Sequence, residues 1–461
     1  MNLTTTQHPR VHRLLRALAL LAITFAVLLA ALWATLRIAL APQTGEWATE
    51  IGRGPLKLRA SVPQLVWLAT TPWIGQSLDG LRVESRIGPV TLGWVPPGAE
   101  GPQAVLMLHC EPCTLPLPHG ALGQQRLRVP ALQLALSRDE FQHLRGTLLV
   151  GAETAQGERA PLTAQWRARR AGPGWDVSMQ WQKAPARHWL ALLVPDLPEL
   201  GVARIEGSVS ARVRLALPAG RIDVQPELSG LQVSGLGTEA WAHAQSPCGP
   251  RRVIDARGWL ARAVLAAEDQ RFDEHPGYDV EELIAALTRN QDAGSIRRGA
   301  STLTQQLAKL MVAGDERSLR RKLRELLYAV EAEQTLGKAR ILQLYLNLAP
   351  WGRTADGGLI CGADAAARHY FGVAARRLDA RQSITLAALL RNPEREANPE
   401  RLLWVAEQVR GVPVRQRRQL AQELRAELEA AAPAVAEAGG VDALDAFIRT
   451  VDRIASTASS D

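Results

Sequence analysis

Between Ala17 and Leu36 the chain runs for twenty residues without a charged side chain, the length a helix needs to cross the roughly 30 Å hydrocarbon core of a bilayer. Such a segment commits the chain to a membrane helix with everything else on one side or the other. Arg10, His12, Arg13 and Arg16 precede it, so the positive-inside rule puts the N-terminus in the cytoplasm and all that follows about residue 40 outside. The expected plan opens with a cytoplasmic tail over residues 1–12 and a transmembrane helix over 13–40. A cleaved signal peptide ending at Ala39-Leu40-Ala41 is the competing reading. The length of the apolar stretch, the nearby Arg37 and the following Pro42 speak against it.

Outside the membrane four cysteines, Cys110, Cys113, Cys248 and Cys361, meet oxidising conditions. Cys110 and Cys113 are spaced to close a short disulfide loop. A zinc pair would need a second CxxC or paired histidines, which the sequence lacks.

A chain of 461 residues is long enough to bury two cores or more. Residues 41–247 read as a β-rich extracytoplasmic domain. Val209, Ala211, Val213, Leu215 and Leu217 alternate with polar residues and stop at Pro218-Ala-Gly220, and Trp175, Val177, Met179 and Trp181 repeat the pattern after Gly172-Pro-Gly174. Period two of this kind predicts antiparallel strands with one apolar face. From about Arg251 the period becomes helical and is expected to stay so to the end, through a catalytic region over 248–400 and a helical extension over 401–461. Leu319, Leu323, Leu326, Leu327 and Val330 form one stripe, and a break at Gly337 precedes Ile341, Leu342 and Tyr345. The net charge of +8 and pI near 9.8 suit an anionic partner, whether lipid headgroup, diphosphate or nucleic acid. Of only five lysines, Lys309, Lys322 and Lys338 fall between residues 300 and 340, where cations are evidently selected.

Three segments in that region carry chemistry: Glu268-Asp-Gln-Arg-Phe-Asp-Glu-His-Pro-Gly277, GASTLTQQLAK from Gly299 to Lys309, and RKLRE from Arg321 to Glu325. Glu268 follows the apolar Val264-Leu265-Ala266-Ala267, which predicts a half-buried carboxylate able to serve as a base. Ser301 is the expected N-cap of a helix whose Thr302, Gln306 and Lys309 share one stripe with Gln305 beside it. The helix-start amides, hydroxyls and Lys309 would then receive an anion such as diphosphate. Arg321, Lys322 and Glu325 lie one turn apart and meet at one face. An ordinary capped helix and a solvated salt-bridged face are the alternatives for the last two segments taken singly.

Together, these motifs and KARILQLYLN, ending at Asn347, resemble those of the peptidoglycan glycosyltransferases found in bifunctional penicillin-binding proteins and monofunctional transglycosylases. The resemblance covers about residues 251–399. It implies a mainly α, lysozyme-like catalytic part, which together with the strand-rich middle makes the expected fold class α+β multi-domain. It also implies polymerisation of lipid II with inversion at the anomeric carbon and release of undecaprenyl diphosphate. Glu268 would be the general base and Glu325 the second carboxylate, orienting substrate. Lys309, Arg321 and Lys322 would neutralise the diphosphate with Ser301, Thr302, Gln305 and Gln306, while Asp269, Phe272, His275 and Gly277 would shape the site. No cofactor is required by the resemblance, although a divalent cation (Mg or Mn) could sit near Glu325. The implied location is the cell inner membrane, with the catalytic domain periplasmic. The implied partners are lipid II, the nascent glycan strand, the membrane and cell-wall synthesis proteins docked on the β-rich domain; nucleic acid is not among them. A weakened transferase acting as a precursor- or partner-binding scaffold is the alternative. Three departures from the family pattern feed it: an insertion between Gly352 and Gly362, Val373 where the family has Lys, and Gln382 where it has Glu. No S-x-x-K set for transpeptidation follows.

Overall fold

The computed structural model describes residues 9–437, leaving out residues 53, 55–56, 99–102, 117–125, 140–142, 154–158, 219, 245, 286–300, 313–317, 355 and 391–398. Helix α1 (Pro9–Ala39) contains the apolar window, none of which is buried against the rest of the protein. Thr24 and Thr35 return their hydroxyls to the carbonyls of Leu20 and Ala31, each at 2.8 Å, a pairing that would also satisfy them in hydrocarbon. Leu40 then turns inward beside Leu58 and Ala60, where the small β1 (Ala48–Ile51) and β2 (Leu58–Ser61) ladder starts the folded body. Two short helices follow, α2 (Val62–Ala69) and α3 (Pro72–Ser77).

The middle of the chain is one antiparallel sheet of nine strands in the order β13-β12-β11-β10-β9-β8-β5-β4-β3. Its strands are β3 (Arg82–Ser85), β4 (Gly88–Val95), β5 (Val105–Cys110), β8 (Ala131–Arg138), β9 (Leu144–Glu153), β10 (Arg159–Ala171), β11 (Gly174–Pro185), β12 (Arg204–Leu217) and β13 (Arg221–Ser234). A side ladder of β6 (Cys113–Pro116) and β7 (Arg126–Val129) is tied to the end of β5 by the Cys110–Cys113 disulfide. Both alternating segments read from the sequence lie within strands, β12 and β11, in register with each other from Trp175 opposite Leu217. Helices α4 (Ala186–Leu193) and α5 (Glu199–Val202) connect β11 to β12, and Trp189 hydrogen-bonds the carbonyl of Val209.

The helical part contains α6 (Trp259–Glu268), α7 (Leu303–Met311), α8 (Leu319–Thr335), α9 (Gly337–Leu348), α10 (Ala363–Phe371), α11 (Ala380–Leu389), α12 (Pro399–Gln408) and α13 (Val414–Glu437). The expectation of unbroken helix after Arg251 needs correction. The insertion between Gly352 and Gly362 forms a hairpin, β14 (Pro350–Arg353) with β15 (Leu359–Cys361). A second disulfide, Cys248–Cys361, fastens that hairpin to the segment ahead of α6 across 113 residues. The last part of the helical extension, 438–461, lies outside the described residues.

Helix α8 belongs to both halves. Its stripe of Leu319, Leu327 and Val330 does not enter the helical core but packs with Leu190, Leu231 and Val233 of the sheet region. Glu331, 2% exposed, accepts the amides of Leu236, Gly237 and Thr238 at 2.8, 2.9 and 3.3 Å. A carboxylate in that position neutralises three backbone donors as the chain leaves β13. Arg324 reaches back to Glu199 at 2.7 Å. Removing the Glu331 carboxylate strands buried amides, so Glu331→Ala is expected to loosen the junction by about 2–4 kcal/mol. Amide hydrogen exchange at residues 236–238 should then accelerate while the centre of the nine-stranded sheet keeps its protection. Unchanged exchange at those three amides would refute the assignment.

Candidate functional site

Glu268 is the last residue of α6, whose Leu260, Ala261, Ala263 and Val264 are buried in the helical core. The backbone leaves the helix at Asp269, which turns the Glu268 side chain away from the core with 11% of it exposed. It receives Gln306 Nε2 at 3.1 Å and an Arg401 guanidinium nitrogen at 2.6 Å. Gln306 in turn accepts the hydroxyl of Tyr345 at 3.0 Å. Burial holds the Tyr345 hydroxyl well above the usual phenol range, and the negative charge of Glu268 pushes it the same way. The phenol therefore stays a donor and fixes which end of the Gln306 amide faces Glu268. That end is the NH2 group, which leaves Glu268 as an acceptor.

Asp269 joins the first two motifs. Its carboxylate meets His275 Nε2 at 3.0 Å and the amide of Leu303 at 2.8 Å. His275 Nδ1 accepts the amide of Gly277 at 3.2 Å, so the ring proton resides on Nε2 and points at Asp269. Gly277 sits at φ 92°, and a Cβ there would come within 2.8 Å of the Ala329 carbonyl oxygen. Only glycine lets the loop lie this close to α8. Phe272 is 2% exposed beneath Lys338, whose Nζ stands 4.4 Å from the ring centroid and bonds the His275 carbonyl and Glu333. Thr304 donates to the same Glu333.

The start of α7 departs from the sequence reading. Thr302, not Ser301, is the N-cap: its hydroxyl accepts the Gln305 amide while the Gln305 side chain accepts the Thr302 amide, a complete capping box. Two hydroxyls stood side by side, and the one with Gln three residues on became the cap. Thr302 also donates to the Gly277 carbonyl at 2.7 Å. Thr302 and Gln305 are thus buried and engaged. With the Leu303 amide on Asp269, the helix start has no open row of amides for an anion. Ser301 is released by this arrangement and its hydroxyl meets Lys322. Gly299 and Ala300, the first residues of that motif, lie outside the described residues.

On α8, Glu325 is 2% exposed and its two oxygens are taken separately by Arg321 and by Lys322, the latter at 2.9 Å. Burial lowers the Lys322 ammonium below the ordinary lysine range; Glu325 opposes this, and Arg321 and Lys309 add to it. That effect of Lys309 places it within electrostatic reach of Lys322, and its own side chain is exposed to solvent. Arg321 and Lys322 thus hold one carboxylate between them, with Ser301 and Lys309 beside Lys322, leaving positive charge in excess. This donor set does not fit a divalent cation. Both Glu325 oxygens face cations, and the described residues contain no other grouping of three His, Cys, Asp or Glu side chains.

The structure brings the expected residues into three linked groups: Glu268 with Gln306; Asp269, His275, Gly277, Thr302 and Gln305 as framework; and Ser301, Arg321, Lys322 and Glu325. Sequence reasoning missed Arg401, Tyr345, Glu333 and the framework use of Lys338. Arg401 lies 133 residues from Glu268, in a segment read as a structural extension, and no local pattern marks it. Gln382 is the third residue of α11 and completes a capping box with Asp379, a task that Gln performs as well as Glu. Val373 packs against the helical core.

Residues 253–419 match the model of the transglycosylase family. Proteins described as biosynthetic peptidoglycan transglycosylases are similar over this region. The one from Alcanivorax borkumensis is 47% identical over 135 residues, 29% of this chain and 53% of its own. That from Ectopseudomonas mendocina is 46% identical over 157 residues, 32% and 62%. The Bordetella avium protein is 46% identical over 138 residues, 29% and 55%. The chain thus spans between half and two thirds of the length of these relatives. Over residues 253–419, the helical half of this chain is similar to the transglycosylase family.

Proposed function

We propose that the protein is a membrane-anchored peptidoglycan glycosyltransferase that polymerises lipid II and releases undecaprenyl diphosphate. In this reading α1 crosses the inner membrane with the N-terminus in the cytoplasm and the catalytic half in the periplasm. The observation that carries the proposal is the arrangement about α7. Gln306 supports Glu268, and Ser301, five residues earlier, touches the Lys322 cluster. Four residues of helical rise from the cap Thr302 and one extended step back to Ser301 separate the two by roughly 9 Å, a distance that one sugar ring and its anomeric phosphate would bridge.

Glu268 accepts the proton of the acceptor sugar's 4-hydroxyl as that oxygen attacks the anomeric carbon of the growing chain. The new O4–C1 bond forms as the bond from C1 to the diphosphate oxygen breaks, and attack from the opposite face inverts the carbon. The electron pair leaves with the diphosphate, whose charge Lys309, Arg321 and Lys322 balance with help from the Ser301 hydroxyl. Glu325 touches no substrate in this scheme; it holds Arg321 and Lys322 side by side. The Asp269–His275 pair, Thr302 and Gln305 keep the loop and α7 in place. Arg401 fixes the direction of Glu268 and compensates its charge at a position with little water.

Glu268→Gln is expected to lower glycan polymerisation from lipid II by about 10³-fold or more with an unchanged circular dichroism spectrum. Turnover within a few-fold of the parent would remove the base assignment. Arg401→Ala should reduce kcat by about 10²-fold with little change in KM, because it misdirects the base without touching the diphosphate site; Arg401→Lys should recover part of that loss. If KM carries the whole effect, Arg401 is acting on substrate instead. Lys322 supplies a pH test. Its ammonium is lowered from the usual 10.5, so its charge disappears on the alkaline side earlier than that of a free lysine. The kcat/KM for lipid II should fall there, and Lys322→Arg, which does not titrate, should shift that limb upward. An alkaline limb identical in the two proteins would exclude Lys322 as its source.

A further inference from the structure

Between Arg59 and Asp79 the chain carries no charged residue over positions 60–78, in a protein whose overall charged content is 22%. This segment contains α2 and α3, and it exposes rather than buries its largest side chains: Trp73 is 73% and Trp67 46% exposed. Packing fixes the direction of both. The α2 residues Val66 and Ala69 rest on the apolar face of the sheet. Leu65 and Leu68 join the cluster containing Leu40 and Trp33 of α1. Trp67 is left on the remaining face. In α3, Gly75 lies against the Trp94 ring so tightly that a Cβ would overlap it at 2.1 Å. Trp73, two residues earlier and about 200° around the helix, is therefore turned away from the sheet.

We infer that the α2–α3 hairpin is an interfacial membrane element, inserting Trp67 and Trp73 into the headgroup region of the outer leaflet beside α1. The inference rests on the proposal that α1 spans the bilayer. Trp33 is four residues before Arg37, the first charge after the span, hence about 6 Å deeper along α1. A hairpin that shares an apolar cluster with Trp33 is held at that level. Tryptophan favours such a boundary, where an apolar ring and a polar N–H are both accommodated. Arg138 lies over Trp67, 5.3 Å from the ring centroid, where its cation can meet lipid phosphates. The hairpin's own hydroxyls are already satisfied: Thr70 donates to Val66 and Trp67, Thr71 to Trp67, and Ser77 to Trp73. These hydroxyls would not be stranded by contact with lipid.

The test uses the full chain in vesicles of phosphatidylethanolamine and phosphatidylglycerol with acyl chains brominated near the carbonyl, reading tryptophan emission. The Trp67→Phe/Trp73→Phe double variant should lose roughly two-thirds of the lipid-quenched emission, with Trp33 supplying the remainder. Equal quenching in parent and variant would place α1 in the bilayer and the hairpin outside it, overturning the inference alone. No quenching in either would overturn both the inference and the membrane reading of α1. Trp67 and Trp73 emission quenched by aqueous acrylamide but not by lipid would show a hydrated face. Protection from both quenchers would show a second copy covering it. Either result would also overturn the inference.

Discussion

A carboxylate removed from water must be surrounded by donors or cations, and this protein uses that requirement to position its chain. Asp269 gathers a histidine and a helix-start amide, Glu325 two cations, and Glu331 three backbone amides. Each of the three is nearly or fully buried. Loss of one partner leaves uncompensated charge or an unpaired donor, costly in a medium that screens poorly. The loop after α6, the cap of α7 and one face of α8 are thereby held together by groups that need not contact substrate. The exposed charge of Lys309 and the partly exposed Lys322, with Arg321 behind them, remain for a ligand.

Helix α8 connects this network to the sheet. Arg321, Lys322 and Glu325 look toward α7, and Leu327, Val330 and Glu331 look toward β13 and the turn after it. One rigid helix with two committed faces cannot shift toward either partner without disturbing the other. The sheet is consequently a structural extension of the site's own scaffold.

The strands were legible because a sheet with one buried face imposes period two, and β11 and β12 display it over four and five alternating apolar positions. The motifs around Glu268, Lys309 and Glu325 were legible as chemistry because carboxylates and cations recur there at helical spacing. What escaped was set by long-range partners. The α8 stripe looked like any core-facing stripe, and its leucines do not reveal that their neighbours come from β13. Arg401 and the Cys248–Cys361 bridge join residues more than a hundred apart in sequence. The choice of Thr302 over Ser301 as cap was written in Gln305, three residues beyond it, and needed only the capping-box spacing to be read.

The sheet also restricts how the body lies against a membrane. The chain leaving α1 is fastened at one end of the strands: Glu46 pairs with Arg170 at 2.8 Å and the Trp47 amide bonds the Pro173 carbonyl, beside the pairing of Trp175 with Leu217. The helical half is fastened at the other end, past the pairing of Arg204 with Ser234. Fourteen residues of β12 separate the two, about 40 Å allowing for twist. A transferase whose leaving group is a lipid diphosphate has to reach that diphosphate at headgroup level. With strands standing upright on the bilayer, the site would be some tens of ångströms too high. Under the proposal that α1 spans the bilayer and a lipid diphosphate leaves, the strands would instead run along the surface, and the fixed length of β12 would set a lateral distance between anchor and site.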